Sequence, residues 1–269
     1  MGDVSNPRRV GPTDAQETKG RLMLNRRQQG QVAILTIDRA NRRNALGIGL
    51  MQAFDAAFTE LDRDDNVAAI VVSAVAPGFC AGSDLKELAT MNIAQMCAHE
   101  AETARIVRAI GFLEKPVVAA VSGFALGGGV GLAVGCDLIV THPECRWHMP
   151  EVPNGWLPPW ALTSLSARVG PVTARRLVWA SEPVDGAEAF ALRLADYLVP
   201  LASVEAEAIA VAERLAALPR AAIASTKRFF APAINGATEA GDMLANRVFA
   251  ENCQDEASKA TLRKFGMKV

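Results

Sequence analysis

The chain has almost no net charge. Its 28 Lys and Arg against 29 Asp and Glu leave −1 over 269 residues. That removes the basic footprint on which nucleic-acid binding rests. The cysteines do not pair up either. Cys80, Cys97, Cys136, Cys145 and Cys253 show no CxxC spacing and are odd in number. This argues against a disulfide scaffold or a metal site and for reduced thiols in a cytosol. No apolar run is unbroken. The longest, from Pro116 to Val140, holds six Gly, one Ser and one Asp, which makes it a poor membrane span. The first twenty residues, MGDVSNPRRVGPTDAQETKG, lack the apolar core of a signal peptide and read as a disordered lead over 1–20. A cytoplasmic protein is expected. At 50% hydrophobic and 21% charged, the remainder can bury a sizeable core. The 21 Gly are an ordinary share, so only their clustering can be informative.

Up to residue 145 the pattern alternates strands and helices. Gln31 to Asp38, Ala68 to Ala74, Pro116 to Val121 and Asp137 to Thr141 are β-branched or apolar runs that read as strands. Ala45 to Leu61 carries apolar residues at helical spacing, and Thr103 to Leu113 reads as a second helix. Runs apolar on both faces predict an α/β protein whose sheet is covered on both sides. From Ala161 onward the chain is nearly all helical, with extended stretches near Val184 and Tyr197. A soft boundary near Leu201 divides a core over 21–200 from a C-terminal helical region over 201–269.

Two Gly-containing loops each follow an apolar strand and open a helix: residues 79–85 (FCAGSDL) and 126–130 (LGGGV). A helix N-terminus presents unpaired N–H groups and the positive end of a dipole. Two such loops facing one point would form an oxyanion hole. Taken singly, each reads rather as a turn that simply lets chains pack. Neither is a phosphate cradle, since no GK[ST] follows and the G-x-G-x-x-G spacing fails at Leu132. Cys80 has no histidine near it in sequence and reads as a small core thiol. A third segment, residues 147–160, places one carboxylate, Glu151, among three Trp and four Pro. Such surroundings would desolvate it and raise its pKa toward the range of a general base. The plainer alternative is an exposed Glu in a rigid loop.

Together the segments IDRANRRNAL, APGFCAGSDLKEL, KPVVAAVSGFALGGGVGLAVGCDLIV and MPE with its Gly-Trp loop resemble the crotonase superfamily, the enoyl-CoA hydratase/isomerase family. The resemblance runs from Gln31 to Phe249. It implies a crotonase-type spiral of ββα units with a C-terminal helical region used for trimerisation, as a homotrimer or a dimer of trimers. It implies an acyl-CoA substrate, with coenzyme A as part of that substrate and no separate cofactor. The implied oxyanion donors are the N–H groups of Ser83 and Gly128. CoA would run past Arg42, Arg43 and Ala45, with its adenine near Leu85 and Lys86 and with Phe249 and Lys264 completing that site.

One departure bears on the reaction. Hydratases of this family hold a water with two glutamates. The second matches Glu151, but the first falls at Gly131. With one acid, a reaction that moves a single proton is easier to build than water addition. The family's Δ3,Δ2-enoyl-CoA isomerases work this way, and the Pro-Pro-Trp after Gly155 is similar to a segment in some of them. The alternative is a hydratase, lyase or decarboxylase acting on an unusual acyl-CoA, for which Gly131 vacates room for a bulkier acyl group or an acid from elsewhere. Gly131, Trp156 and Trp160 are candidates for the acyl pocket, the Trp residues reading equally as core. An RNA-binding role like that of some family members is disfavoured, because Ala45 to Leu61 contains no Lys or Arg.

Overall fold

The computed structural model describes residues 23–180 and 182–267, so the lead expected over 1–20 lies outside the described residues. In chain order the strands are β1 (Leu24–Gln29), β2 (Val32–Ile37), β3 (Ala69–Ala74), β4 (Val117–Val121), β5 (Phe124–Leu126), β6 (Leu138–Thr141), β7 (Arg146–His148) and β8 (Tyr197–Leu198). Six of them form one sheet in the order β1-β2-β3-β4-β6-β8. The pair β1-β2 is an antiparallel hairpin and the remaining neighbours run parallel. β5 and β7 stand apart as a second, parallel pair.

The sheet is covered on both faces, and the alternation of side chains shows how. Leu35, Ile37, Ile70, Val72, Val117 and Ala119 point into one core. Their immediate neighbours Ile34, Val71, Val118 and Ala120 point into the other. The first core is closed by α1 (Ile48–Arg63), while α2 (Leu85–Leu88) packs in a third, smaller cluster with Trp156 and Phe249; α3 (Ile93–Ile110), α4 (Gly128–Gly135), α5 (Leu162–Val169), α6 (Pro171–Ala180) and α7 (Gly186–Ala191) complete the first core, whose helical side chains come mostly from α1, α3 and α4. The second is closed by α8 (Val204–Ala216), whose Val204, Ala208, Val211 and Ala212 lie flat on the sheet. Three more helices complete the C-terminal region: α9 (Arg220–Asn235), α10 (Thr238–Asn252) and α11 (Glu256–Lys264). Among the described residues no helix is long and apolar enough to cross a membrane.

Several elements differ from the sequence expectation. α3 begins ten residues before Thr103 and stops at Ile110. Its start is fixed by a capping box: the Asn92 side chain accepts from the Gln95 N–H at 2.9 Å, and the Gln95 side chain accepts from the Asn92 N–H at 2.9 Å. Residues 124–126, expected as loop, form β5, and β1, β7 and α11 had no counterpart in the sequence pattern. Three-residue strands carry too little periodicity to be seen, and their pairing is decided by tertiary contacts.

The polar loop after β2 is locked to the rest by Asn44. This residue is fully buried and left-handed, with φ 56°, a conformation Asn tolerates. Its amide donates to the carbonyls of Val75 and Gly78, each at 2.7 Å, and accepts from the Arg39 N–H at 2.9 Å. Asn44→Ala removes all three bonds and strands the buried Gly78 carbonyl and the partly buried Val75 carbonyl. The expected loss is about 2–4 kcal/mol, measurable by denaturant unfolding. A loss under about 1 kcal/mol would show that the loop is held by other contacts.

Candidate active site

The small β5–β7 pair brings the sequence motifs together. Its register sets Leu126 opposite His148. One strand therefore runs directly into the glycine triplet and the other into Met149, Pro150 and Glu151. The Gly127 N–H donates to the His148 carbonyl at 2.8 Å, which extends the pairing one residue further. On the other flank Leu126 N–H donates to Cys80 O at 2.9 Å, and Cys80 bridges Ala125. Next in line, Leu46 N–H donates to Gly82 O at 2.8 Å and Asp84 N–H donates to Leu46 O at 3.0 Å. Four loops thus lie side by side in fixed register.

The two N–H groups singled out by the motifs fall next to each other. A Cβ built on Gly128 would stand 3.4 Å from the Ser83 nitrogen, and one built on Gly82 would stand 3.1 Å from the Gly128 nitrogen. Among the described residues neither Ser83 N–H nor Gly128 N–H donates to a protein acceptor. Gly128 opens α4, so its N–H is one of the unpaired donors at a helix start. Gly127 precedes it with φ 52° and ψ −120°, and a Cβ there would stand 2.7 Å from Glu151 Oε1. Glycine is required at that position on both counts. Ser83 is placed by its neighbour: Asp84 caps α2 and is paired with buried Arg39 at 3.0 Å.

Ser83, Gly128 and Glu151 face one cleft, which with its open mouth spans about 700 Å³. Glu151 is half-buried, and its Oε2 is shielded with no hydrogen-bond partner among the described residues. Burial pushes its carboxyl up to about 7. The negative charge of Glu100 adds to the rise, and a hydrogen bond from its own backbone N–H opposes it. The exposed-loop alternative for this residue is set aside. Gly131 lies on the same cleft, with an indole across it. A Cβ built there would stand 2.8 Å from Trp160 Cη2 and closer still to Cζ3. Trp156 forms another wall, with its ring 6.1 Å from that of Phe249.

The other residues proposed for CoA are placed less tightly. Leu85 lines the cleft, whereas Ala45 is buried outside its lining, with its carbonyl accepting from Arg39. Arg42 Nη1 lies 3.7 Å from Asp84, and Arg43 stacks over the Phe124 ring at 4.7 Å. Lys86 and Lys264 are exposed, the latter at the end of α11. Phe249 faces Trp156 in the wall of the cleft. Cys80 is fully buried, and burial pushes its thiol up to about 12, which suits the core role.

Sequence reasoning missed one polar residue of the cleft, Glu100. It is 1% exposed and its Oε2 accepts from Trp160 Nε1–H at 2.7 Å. Met96, Glu100, Thr103 and Val107 share the buried stripe of α3, but the local sequence does not distinguish Glu100 from a solvated glutamate. Glu100 also lies upstream of the expected start of that helix.

A sequence profile described as enoyl-CoA hydratase/isomerase matches residues 27–268. The chain belongs to the enoyl-CoA hydratase/isomerase family. It is similar to a probable enoyl-CoA hydratase of Mycobacterium tuberculosis, with 30% identity over 239 residues covering 87% of this chain and 92% of that protein. It is also similar to a short-chain-enoyl-CoA hydratase of Clostridium acetobutylicum, 33% identical over 174 residues, covering 64% of this chain and 67% of that protein. Among solved structures, an enoyl-CoA hydratase/isomerase from Mycobacterium paratuberculosis superposes with a TM-score of 0.83 at 23% identity. It covers 90% of this chain and 98% of its own. The crotonase-type fold that the motifs implied is thereby established, and the protein is an acyl-CoA enzyme of this family.

The raised pKa of Glu151 has a consequence for stability. The folded chain keeps a proton on this carboxyl that the unfolded chain gives up near 4.5. Its contribution is therefore most favourable below about 4.5 and is lost as pH rises to about 7. Glu151→Gln, which cannot ionise, is expected to unfold at a higher temperature than wild type at pH 8, with the difference closing toward pH 4. Thermal unfolding across that range checks it. An equal difference at both ends would show that Glu151 is not a buried ionisable group.

Proposed function

We propose that the protein is an acyl-CoA isomerase that shifts a double bond through a thioester enolate, with Glu151 carrying the single proton. The observation behind this reading is the Trp160 ring lying across Gly131. The volume in which a hydratase of this family keeps its second acid is filled here by an apolar surface. Water addition needs one group to hold water and another to protonate the substrate carbon. A 1,3 proton shift needs one group that takes a proton and gives it back.

In a 3-enoyl-CoA, the C2 proton is acidified by the thioester and by the adjacent double bond. Ionised Glu151 takes this proton, and the negative charge moves onto the thioester oxygen. The N–H groups of Ser83 and Gly128 meet that oxygen. Because its charge grows toward the transition state, these pre-aimed donors stabilise the transition state more than the bound substrate. Protonated Glu151 then delivers its proton to C4, which yields the 2-enoyl-CoA. Proton and electrons balance without water or a further cofactor. A group titrating at about 7 suits both halves of this cycle. On this reading Trp156, Trp160 and Phe249 hold the acyl chain, while Arg42, Arg43, Ala45, Leu85, Lys86 and Lys264 serve the CoA portion.

A second reading has its own support. The relatives named above are hydratases, and Glu100 supplies another carboxylate on the cleft. A hydratase, lyase or decarboxylase on an unusual acyl-CoA would use it. The two readings separate in one assay with 3-enoyl-CoA and 2-enoyl-CoA. Double-bond shift is expected, with kcat/KM rising as pH rises through about 7 because the base must be ionised. Glu151→Gln is expected to lose roughly 10²–10⁴-fold. Robust hydration of crotonyl-CoA with no shift would overturn the isomerase reading.

The assembly implied by the family is carried into the same proposal. Phe229 and Phe230 on α9 and Met243 and Leu244 on α10 are exposed large apolar residues that burial between chains would cover. Sedimentation is expected to give the mass of three or six chains, and a monomer at micromolar concentration would overturn this.

A further inference from the structure

Glu100 is a buried carboxylate that the proton shift does not use. No cation pairs with it among the described residues. Burying such a group is costly unless a specific contact repays it. Its neighbours leave it a single task. Cys97, one turn earlier on α3, and Cys253, the residue that follows α10, both have thiols pushed up by burial, so they stay neutral and supply no counter-charge. Arg108, two turns further along α3, is committed to Asp242 at 2.8 Å. The contact that remains is the indole of Trp160, whose Nε1–H donates to Glu100 Oε2 at 2.7 Å.

Trp160 is held from its other side as well. Ala161 is left-handed, with φ 67°, a conformation unfavourable for a residue with a Cβ. Asp242 accepts from the Ala161 N–H at 3.2 Å and holds that backbone in place. Between these two anchors the ring spans both Gly131 and Gly128. A Cβ built on Gly128 would stand 3.1 Å from Trp160 Cζ2. The strained backbone and the buried acid act on one side chain, and that side chain lies over the oxyanion glycine.

We propose that Glu100 is the positioning residue that pins Trp160 across Gly131 and so keeps water from the enolate, making Glu151 return its proton to the substrate rather than to solvent. This rests on the proton-shift reading above. Glu100 touches neither the proton nor the thioester; it acts through the ring.

Two measurements test it, one of them independent of turnover. In the free protein, the Trp160 indole N–H is assigned in a ¹H–¹⁵N spectrum by its absence from Trp160→Phe. It should exchange with solvent much more slowly than that of Trp179, which is 64% exposed. Glu100→Leu should speed this exchange roughly tenfold or more, the loss of one charge-assisted hydrogen bond. Glu100→Gln keeps an acceptor oxygen and should restore slow exchange. The second measurement follows deuterium from C2 of a labelled 3-enoyl-CoA in ordinary water. Wild type and Glu100→Gln should carry most of the label to C4, and Glu100→Leu should release it to solvent. A Trp160 N–H that exchanges as fast as that of Trp179 would overturn the proposal, as would Glu100→Leu leaving both readouts unchanged. If wild type moves no double bond, the isomerase reading falls, and the indole exchange alone decides whether the ring is pinned.

Discussion

The site depends on the register of two three-residue strands. β5 and β7 pair so that Leu126 faces His148, and the Gly127 N–H closes one further bond to His148 O. Everything chemical follows from where those strands end. One runs into the start of α4 and the other into the Glu151 loop, so a helix-terminal N–H and a carboxylate emerge on the same side of the cleft. A slip of one residue would turn every side chain of the shifted strand to the opposite face. So short a pair would not hold alone. It is held because residues 79–80 bond to Phe124 and Leu126 on one flank, and because Trp147 on β7 is buried at 1% exposure on the other.

The second constraint is electrostatic. The cleft contains two carboxylates, Glu151 and Glu100, and among the described residues neither has a cationic partner. Nearby charged pairs are satisfied elsewhere, Arg39 with Asp84 and Arg108 with Asp242. Leaving the acids unpaired lets burial and mutual repulsion lift Glu151 to about 7. A single arginine at hydrogen-bond distance would reverse that shift and remove a usable base. The arrangement costs stability near neutral pH, and on the proposed reading it supplies a proton-transfer group, a trade common at functional sites.

How much of this the sequence made legible depends on length and on locality. The strands β2, β3, β4 and β6 were visible because they are apolar runs buried on both faces. The helices between residues 160 and 252 were visible through their spacing, whereas α11 was not. The two glycine loops and Glu151, which the structure brings to one cleft, were visible because each is a short, contiguous pattern. Glu100 was not, because its meaning lies in a partner 60 positions away, and nothing local distinguishes it from a solvated glutamate. The start of α3 was missed for a different reason. Asn92 and Gln95 were readable as a capping box, but the apolar stripe that follows is broken by His99 and Glu100, both buried polar residues.

Gly131 cannot be understood as a residue merely missing an acid. Its neighbourhood has been filled to match. Restoring a glutamate there would drive its Cβ into the Trp160 ring. Moving the ring would break its bond to Glu100 and leave a buried carboxylate without a donor. Moving the backbone of 160–161 would disturb the left-handed turn that Asp242 supports. A two-acid site and this one are therefore separated by at least three coupled positions, 131, 160 and 100. Each change alone is unfavourable, so their effects are not expected to add. That coupling explains why the absence of one carboxylate, visible in the sequence as a single glycine, corresponds in the structure to a differently built wall of the cleft.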